Sequence, residues 1–244
     1  MLISGSLWLL TATDNMLELN HDTEPQVLRC FRALNPPPYS SGTAIWKQYR
    51  DFEYTERSNQ SLVRALHRMQ EGLCVYCERR IFTIESERQN NERNRHIEHL
   101  RSRQNYPDLT LTYSNLALSC STEQERVKSC GERKGNRELP ILPTENHRHL
   151  FDIDFDDGSI IPAQGISSAD EKRVKDTCIL LNINHKALCF ERLQILNNLQ
   201  KIHQLPLLTA EEKEQRARQY CISKTVIGSP FAPTLRKAFT KFLL

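Results

Sequence analysis

The sequence has no apolar segment of membrane length and no internal repeat or low-complexity tract. An apolar run near the N-terminus, within residues 1–13, is short and has no basic residue before it. A secretory signal normally carries such a residue, and a membrane-spanning helix needs about 20 apolar residues. We therefore expect a cytoplasmic protein that makes no membrane contact, with residues 1–15 as a loose extension and Met16 as an alternative start.

A large net charge is also missing. The chain has 33 Lys and Arg against 30 Asp and Glu, and the resulting charge of +3 does not by itself indicate a nucleic-acid-binding protein. Residues 79–137 are locally basic, with twelve Lys or Arg against eight Asp or Glu. This segment could follow a phosphate backbone, although an ordinary solvated surface would carry the same charges.

Cysteine is too sparse for a disulfide scaffold, because such scaffolds are short and dense in cysteine, whereas this chain has eight in 244 residues. Four cysteines stand alone in apolar or helical contexts, where a free thiol usually behaves as a small buried hydrophobe; they are Cys30, Cys178, Cys189 and Cys221. The other four are grouped around a polar, histidine-bearing segment, which indicates a metal site in a reducing compartment; they are Cys74, Cys77, Cys120 and Cys130.

The grouped cysteines form two pairs. Two residues separate Cys74 from Cys77, a spacing at which one turn can present two thiolates to a tetrahedral zinc ion. Nine residues separate Cys120 from Cys130, which is longer than the usual two. Together the pairs predict a structural Zn²⁺ site, since four thiolates leave no open position for water. The alternative is that all four are simply buried thiols.

The segment His96-Ile97-Glu98-His99-Leu100 lies between the pairs. Hydrolysis of a phosphodiester needs a base to activate water and a cation to hold the phosphate. On a strand, neighbouring side chains point to opposite faces, so Glu98 could meet a metal while His99 meets the water. The same spacing could instead place a zinc-binding histidine pair on a helix. His96 could be a base, a phosphate donor or a polar strand residue.

Asn115 can hydrogen-bond to backbone on both sides through its amide, which suits it to tying a loop beneath the histidine strand. An asparagine at a loop-to-helix junction is also an ordinary cap.

Outside this region, residues 24–56 are predicted to be an irregular arm, because Pro36-Pro37-Pro38 disfavours helix and sheet. We expect the aromatic residues of the arm to anchor it on the core. A helix is predicted over 58–72, ending at Gly72. The alternation in 151–155, followed by a turn at Asp157-Gly158, predicts a hairpin.

Three helices are predicted in the last third of the chain. Ser168 with Glu171 indicates a capping box for the first, Asn184 a cap for the second, and Thr209 with Glu212 the start of the third. We expect one domain in three parts: an N-terminal extension and proline-rich arm over 1–57, a zinc-braced core over 58–150, and a hairpin with packed helices over 151–244.

Four motifs together resemble a known family: C-V-Y-C at 74–77, I-E-H-L at 97–100, Y-S-N-L-A-L-S-C at 113–120 and C-G-E-R-K-G-N-R at 130–137. They are similar to the zinc-bound HNH endonucleases of the ββα-metal class, and most of all to the PtuB-type subunits of Septu anti-phage systems, some of which accompany retrons. The resemblance implies an α+β fold, in which a mainly helical domain carries an embedded ββα-metal (HNH) motif with a four-cysteine zinc knuckle.

The resemblance also implies roles for individual residues. His99 matches the general base, Glu98 the acidic ligand of a catalytic Mg²⁺ or Mn²⁺ ion, and Asn115 the residue that orients the catalytic loop. Lys134 matches a lysine expected near the phosphate, and the four grouped cysteines match the zinc ligands. Contacts with nucleic acid are expected from five residues: His96, Arg101, Arg103, Arg133 and Arg137.

The sequence departs from this pattern at Gly131, where many relatives carry Asn or His as a third catalytic residue. Asn136 is the metal ligand expected in its place, and Glu132 is the alternative. The departure leaves a second interpretation open, a zinc-braced binding or adaptor module without catalysis.

The resemblance further implies a nucleic-acid substrate, DNA by default, with tRNA or other RNA not distinguished. It implies a PtuA-type ATPase as partner in a hetero-oligomer, joined in retron-associated systems by a reverse transcriptase and its DNA or RNA product.

Overall fold

A computed structural model describes residues 19–55, 61–90, 94–121, 127–204, 208–224, 229–231, 233–235 and 238. The apolar run at the N-terminus and Met16 lie outside the described residues. Among the helices that are described, none combines the length and hydropathy needed to cross a membrane.

The described part of the chain includes eight α-helices and two small antiparallel sheets. The helices are α1 (Gln26–Leu34), α2 (Gly42–Thr55), α3 (Ser61–Met69), α4 (Ile84–Asn90), α5 (Cys130–Lys134), α6 (Ser168–Leu181), α7 (Lys186–His203) and α8 (Ala210–Lys224). The strands are β1 (Arg95–His99) paired with β2 (Leu116–Cys120), and β3 (Phe151–Ile153) paired with β4 (Ile160–Pro162).

The prediction of an irregular arm over 24–56 was wrong, because this segment forms α1 and α2. Pro25 lies directly before α1, and Pro36-Pro37-Pro38 falls in the connection between the two helices. Proline ends a helix but leaves the residues on either side free to form one. The predicted anchoring is confirmed for three aromatic residues that are buried in the core: Phe31, Trp46 and Tyr49. Tyr54 is 87% exposed and does not take part.

Several local predictions are confirmed. The described part of the predicted helix over 58–72 is α3, and Gly72 follows it with a φ of 74°, a left-handed conformation that glycine adopts without strain. The hairpin is formed by β3 and β4. At the start of α8 the backbone N–H groups of Thr209 and Glu212 donate reciprocally to each other's side chains, as a capping box requires.

Two predicted caps are wrong. The box at α6 is displaced by one residue, since Ser167 accepts a hydrogen bond from the Asp170 N–H while its hydroxyl donates to the Asp170 carboxylate. Asn184 does not cap α7, where His185 holds that position. The side-chain amide of Asn184 instead accepts the Ile160 N–H in β4 and donates to the Ile160 carbonyl, each at 2.8 Å. Sequence spacing alone does not reveal such a tertiary partner.

Strand β2 is buried along its whole length and is bonded on both edges. One edge pairs with β1, in a register that places His99 opposite Leu116 and Arg95 opposite Cys120. On the other edge the Gln70 side chain makes hydrogen bonds of 2.6 and 2.8 Å with the backbone of Leu118. The Val75 N–H donates to the same Leu118 carbonyl at 3.1 Å. These bonds fasten the turn that carries the first cysteine pair to the sheet.

Candidate active site and metal centre

The four grouped cysteines meet in one buried cluster, although they lie far apart in the sequence. Cys74 and Cys77 come from the turn after α3, Cys120 ends β2 and Cys130 begins α5. Their sulfur atoms all lie within 4.8 Å of one another, and those of Cys77 and Cys120 are 3.6 Å apart. Sulfurs around one tetrahedral metal ion at about 2.3 Å would lie roughly 3.8 Å from each other. The cluster therefore has the donors and the dimensions to hold a metal ion.

The long gap in the second pair does not keep its cysteines apart. The hydroxyl oxygen of Ser119 in β2 accepts the Gly131 N–H at 3.1 Å, so the start of α5 is fastened beside the end of β2. Cys130 itself has a φ of 56°, a left-handed turn directly before the helix continues. The Cys120 N–H donates to the Cys74 sulfur at 3.3 Å. Burial raises the pKa of Cys74, but hydrogen bonds from the other three cysteines outweigh it and hold that pKa well below its usual range.

Glu98 and His99 are neighbours on β1 and make their contacts on opposite sides of the strand. The two oxygens of Glu98 have different partners. Oε1 lies 2.7 Å from the Lys134 ammonium and accepts the Tyr76 hydroxyl at 3.2 Å, whereas Oε2 lies 3.3 Å from Nε2 of His96. Burial raises the pKa of Glu98, but His96 and Lys134 outweigh that effect and leave it below its ordinary value. Glu98 is therefore a buried, charged carboxylate at neutral pH.

The ring of His99 is held so that one nitrogen is basic. Its Nε2 lies 3.1 Å from the carbonyl oxygen of Thr110, and the ring stands nearly perpendicular to that of Trp46 at a centroid distance of 4.7 Å. A carbonyl oxygen only accepts, so Nε2 carries the proton and Nδ1 keeps its lone pair. Burial, followed by the positive charge of Arg103, lowers the pKa of His99 to about 4. His99 is thus neutral at physiological pH, the form that a general base requires.

Asn115 fastens the loop that runs from β1 to Thr110. Its Oδ1 accepts the Arg101 N–H at 2.8 Å, and its Nδ2 donates to the carbonyls of Arg101 and Leu109 at 3.0 and 3.1 Å. The loop it holds includes the carbonyl that orients His99. Gly42, at the start of α2, packs against the same loop so closely that a Cβ atom there would lie 2.1 Å from the Arg103 oxygen. The position of His99 therefore depends on contacts from two separate parts of the chain.

No protein-family model matches the chain. The chain is 34% identical over 187 residues to the "Retron Vc95 putative HNH endonuclease" of Vibrio cholerae serotype O1 biovar El Tor, an alignment that covers 75% of this chain and 84% of the relative. The chain belongs to the HNH endonucleases. The buried acid and the neutral histidine lie side by side on β1.

Lys134 is a buried side chain with three protein oxygens around its ammonium group. Besides Glu98 it reaches the backbone carbonyls of His99 and Gly135, at 3.0 and 3.1 Å. A direct contact with phosphate would have to replace one of these bonds. The observed geometry makes Lys134 a positioning residue that fixes the orientation of the Glu98 carboxylate and the end of β1.

The two residues expected to replace the missing ligand at Gly131 have other partners. Asn136 accepts the Ser102 hydroxyl at 2.8 Å and donates to Gln104, so its amide lies against the 102–105 loop. Glu132 accepts the hydroxyl of Ser121 at 2.9 Å, beside the last cysteine of β2. These contacts do not lead to Glu98, and the assignment of either residue to the metal stays a prediction.

The basic residues expected to meet nucleic acid do not form one group. Arg103 is close enough to lower the pKa of His99 through its positive charge, and the charge of Glu98 acts in turn on Arg103. Arg101 lies over the Tyr106 ring at 5.4 Å, with Glu138 at 3.4 Å. Arg133 lies on α5 and Arg137 lies three residues after its end, and both are exposed. Arg103 is therefore the cation best placed to meet a phosphate beside the histidine.

Sequence reasoning missed three residues that shape the site: Tyr76, Trp46 and Thr110. Tyr76 was visible inside the C-V-Y-C motif, but only the fold shows that its hydroxyl reaches Glu98. Trp46 lies in the segment that was predicted to be irregular, so its position on α2, beside His99, could not be predicted. Thr110 acts through its backbone carbonyl, for which a sequence gives no signal.

We expect Asn115→Ala to destabilise the protein and to slow cleavage, because it removes three hydrogen bonds that hold the loop of Thr110. Leaving their buried partners unpaired should cost on the order of 1–3 kcal/mol in unfolding free energy, which denaturant titration would measure. The control is Asn105→Ala, which removes one exposed hydrogen bond to Asn136. Equal stability of the two variants would show that Asn115 does not hold the loop.

Proposed function

We propose that this protein is a metal-dependent endonuclease that hydrolyses phosphodiester bonds in nucleic acid. The observation that carries the proposal is the arrangement on β1, where a buried ionised Glu98 adjoins a histidine whose pKa is lowered to about 4. A carboxylate and a neutral histidine side by side on one strand are the groups that metal-assisted hydrolysis needs as a ligand and a base. The name of the Vibrio cholerae relative supports the same reaction class.

Two metals fit the donors present. The four buried sulfurs suit a structural Zn²⁺ ion, because a tetrahedral set of thiolates is the environment that zinc prefers. Glu98 suits a catalytic Mg²⁺ or Mn²⁺ ion through Oε2, the oxygen that Lys134 and Tyr76 leave open. When bound there, a divalent cation would offset negative charge on the phosphate and the leaving oxygen.

The residues of the site then have distinct tasks. Nδ1 of His99 accepts a proton from a water molecule as the water oxygen forms a bond to phosphorus. The bond from phosphorus to the leaving oxygen breaks and keeps its electron pair on that oxygen. The imidazolium that forms is stabilised by the Thr110 carbonyl and by the charge of Glu98. Arg103 is placed to offset charge on the phosphate.

The biological setting that we propose is anti-phage defence. The motif resemblance to Septu-type subunits and the retron in the relative's name both support an effector nuclease that works with a PtuA-like ATPase. A retron reverse transcriptase and its DNA or RNA product would be further members of such an assembly. Co-purification with a PtuA-like ATPase tests this association, and the absence of a complex would contradict it.

A second candidate function is a zinc-braced binding or adaptor module without catalysis. Gly131 favours it, since glycine has no side chain to serve as the third catalytic residue. The test is to incubate the protein with plasmid DNA and with total tRNA, each with Mg²⁺, Mn²⁺ or EDTA, and with and without the ATPase and its nucleotide. Cleavage that EDTA abolishes establishes the nuclease, and the substrate consumed distinguishes DNA from RNA. Binding without cleavage under every condition supports the second candidate.

The lowered pKa of His99 predicts an unusual pH dependence. A base is active above its pKa, so kcat/KM should stay constant as the pH falls from 8 to about 5.5. An ordinary histidine, with a pKa of 6.5, would lose about tenfold over that range. The measurement is kcat/KM across this range at saturating divalent cation, so that protonation of a metal ligand does not lower the rate. Zinc content is followed in parallel, because acid protonates thiolates and releases zinc. A decline with its midpoint near pH 6.5 would contradict the neutral, buried state of His99.

A further inference from the structure

The space that a side chain at position 131 would need is filled by two other residues. A Cβ atom placed on Gly131 would lie 2.5 Å from Oε2 of Glu98 and 2.6 Å from Nε2 of His96. Gly131 is not among the residues with positive φ, so its backbone conformation does not demand glycine. The absence of a side chain is instead a condition for His96 and Glu98 to meet where they do.

His96 is presented to the site by the strand itself. It lies two residues before Glu98 on β1, so both side chains project from the same face. Its Nε2 points at Oε2 of Glu98. Its Nδ1 is buried and has no hydrogen-bond partner among the residues described by the structure. The contact with Glu98 therefore accounts for Nε2, whereas no hydrogen bond within the described protein accounts for the buried Nδ1.

The two facing atoms have the chemistry and spacing of ligands to one ion. Two donors at right angles around a cation, each at about 2.1 Å, are roughly 3.0 Å apart. Nε2 of His96 and Oε2 of Glu98 are 3.3 Å apart. Oε1 of Glu98 is already engaged by Lys134 and Tyr76, which leaves Oε2 as the oxygen facing His96.

We propose that His96 is a ligand of the catalytic divalent cation and supplies, from β1, the donor that the family places after the last cysteine and that Gly131 lacks. This inference rests on the proposed nuclease function. A nitrogen and carboxylate pair suits transition metals better than Mg²⁺. The site should therefore prefer Mn²⁺ over Mg²⁺.

The test is Mn²⁺ binding to the zinc-loaded full-length protein, followed by the electron paramagnetic resonance signal of free Mn²⁺. We expect His96→Ala to weaken Mn²⁺ binding by about tenfold or more, and Glu98→Gln to do the same. The control is His149→Ala, an exposed histidine whose removal should change nothing. Spin-echo modulation from a bound ¹⁴N nucleus should be present in the parent protein and absent in His96→Ala. Equal affinity and equal modulation in the two proteins would overturn the proposal.

A further variant tests the geometry. Gly131→Ala should weaken Mn²⁺ binding, because its Cβ would displace both donor atoms. A Gly131→Ala protein that binds Mn²⁺ as tightly as the parent would show that the two donor atoms do not depend on this space. Circular dichroism and zinc content establish that each variant is folded.

The binding and cleavage measurements distinguish the assignment of His96 as a ligand from the proposed nuclease function. If EDTA-sensitive cleavage occurs but the affinity for Mn²⁺ is unchanged in His96→Ala, the ligand assignment is wrong and the proposed nuclease function is supported. If Mn²⁺ binds through His96 and no substrate is cut, the ligand assignment stands and the nuclease fails.

Discussion

Substitution of His99 by alanine is expected to reduce the rate of cleavage by about 10²- to 10⁴-fold, the usual contribution of a general base. The ring supplies the nitrogen that accepts the proton of water, and burial together with the charge of Arg103 keeps that nitrogen unprotonated before the reaction. Single-turnover cleavage at saturating metal would measure the loss. Zinc content should be unchanged, since His99 is not one of the four clustered thiols.

The chain offers a closely matched control in His147. This histidine is also buried, lies 2.7 Å from the Glu145 carbonyl through Nδ1 and makes a perpendicular ring contact with Phe151 at a centroid distance of 5.7 Å. His147→Ala should therefore destabilise the fold about as much as His99→Ala while leaving cleavage near the parent rate. If both variants lose activity equally, His99 acts through stability, and its assignment as the base is wrong.

Replacement of Cys120 by serine is expected to have the largest effect on stability. Cys120 joins β2 to the cluster, and Cys130 joins α5 to the same cluster, so loss of the metal would release both elements that frame Glu98. Zinc binding in small structural sites is worth about 10–16 kcal/mol, which is comparable with the whole stability of a domain. We expect the variant to lose most of its zinc and its cooperative thermal unfolding. Metal analysis and calorimetry would measure these two losses.

The control for Cys120→Ser is Cys178→Ala. Cys178 is also buried, but it lies on α6 outside the cluster, and burial raises the pKa of its thiol to about 12. Its substitution should lower the melting temperature modestly and leave one zinc ion per chain. A Cys120→Ser protein that keeps a full equivalent of zinc at the parent affinity would show that the cluster is not a structural zinc site.

The sequence predicted the features that depend on short-range pattern. The spacing of Cys74 and Cys77 indicated a shared metal, and of the two alternatives for His96 to His99 the structure shows the strand. Gly72, the hairpin over 151–162 and the box at Thr209 are also local, because a turn or a cap is decided by residues within four positions of it. The prediction of an irregular arm over 24–56 was wrong because proline affects only its own neighbourhood. Pro36-Pro37-Pro38 interrupts the segment, while the residues on either side form α1 and α2.

Tertiary structure alone decided how the site is assembled. The sequence does not show that Glu98 is bonded to Lys134, Tyr76 and His96. Nor does it show that Gly131 makes room for His96. Such contacts join residues on β1, α5 and the cysteine turn, and they arise when a shared core forces those elements together. Sequence determines which chemical groups the chain possesses; packing determines which of them meet, because side-chain distances across elements are fixed by the whole core and not by any local pattern.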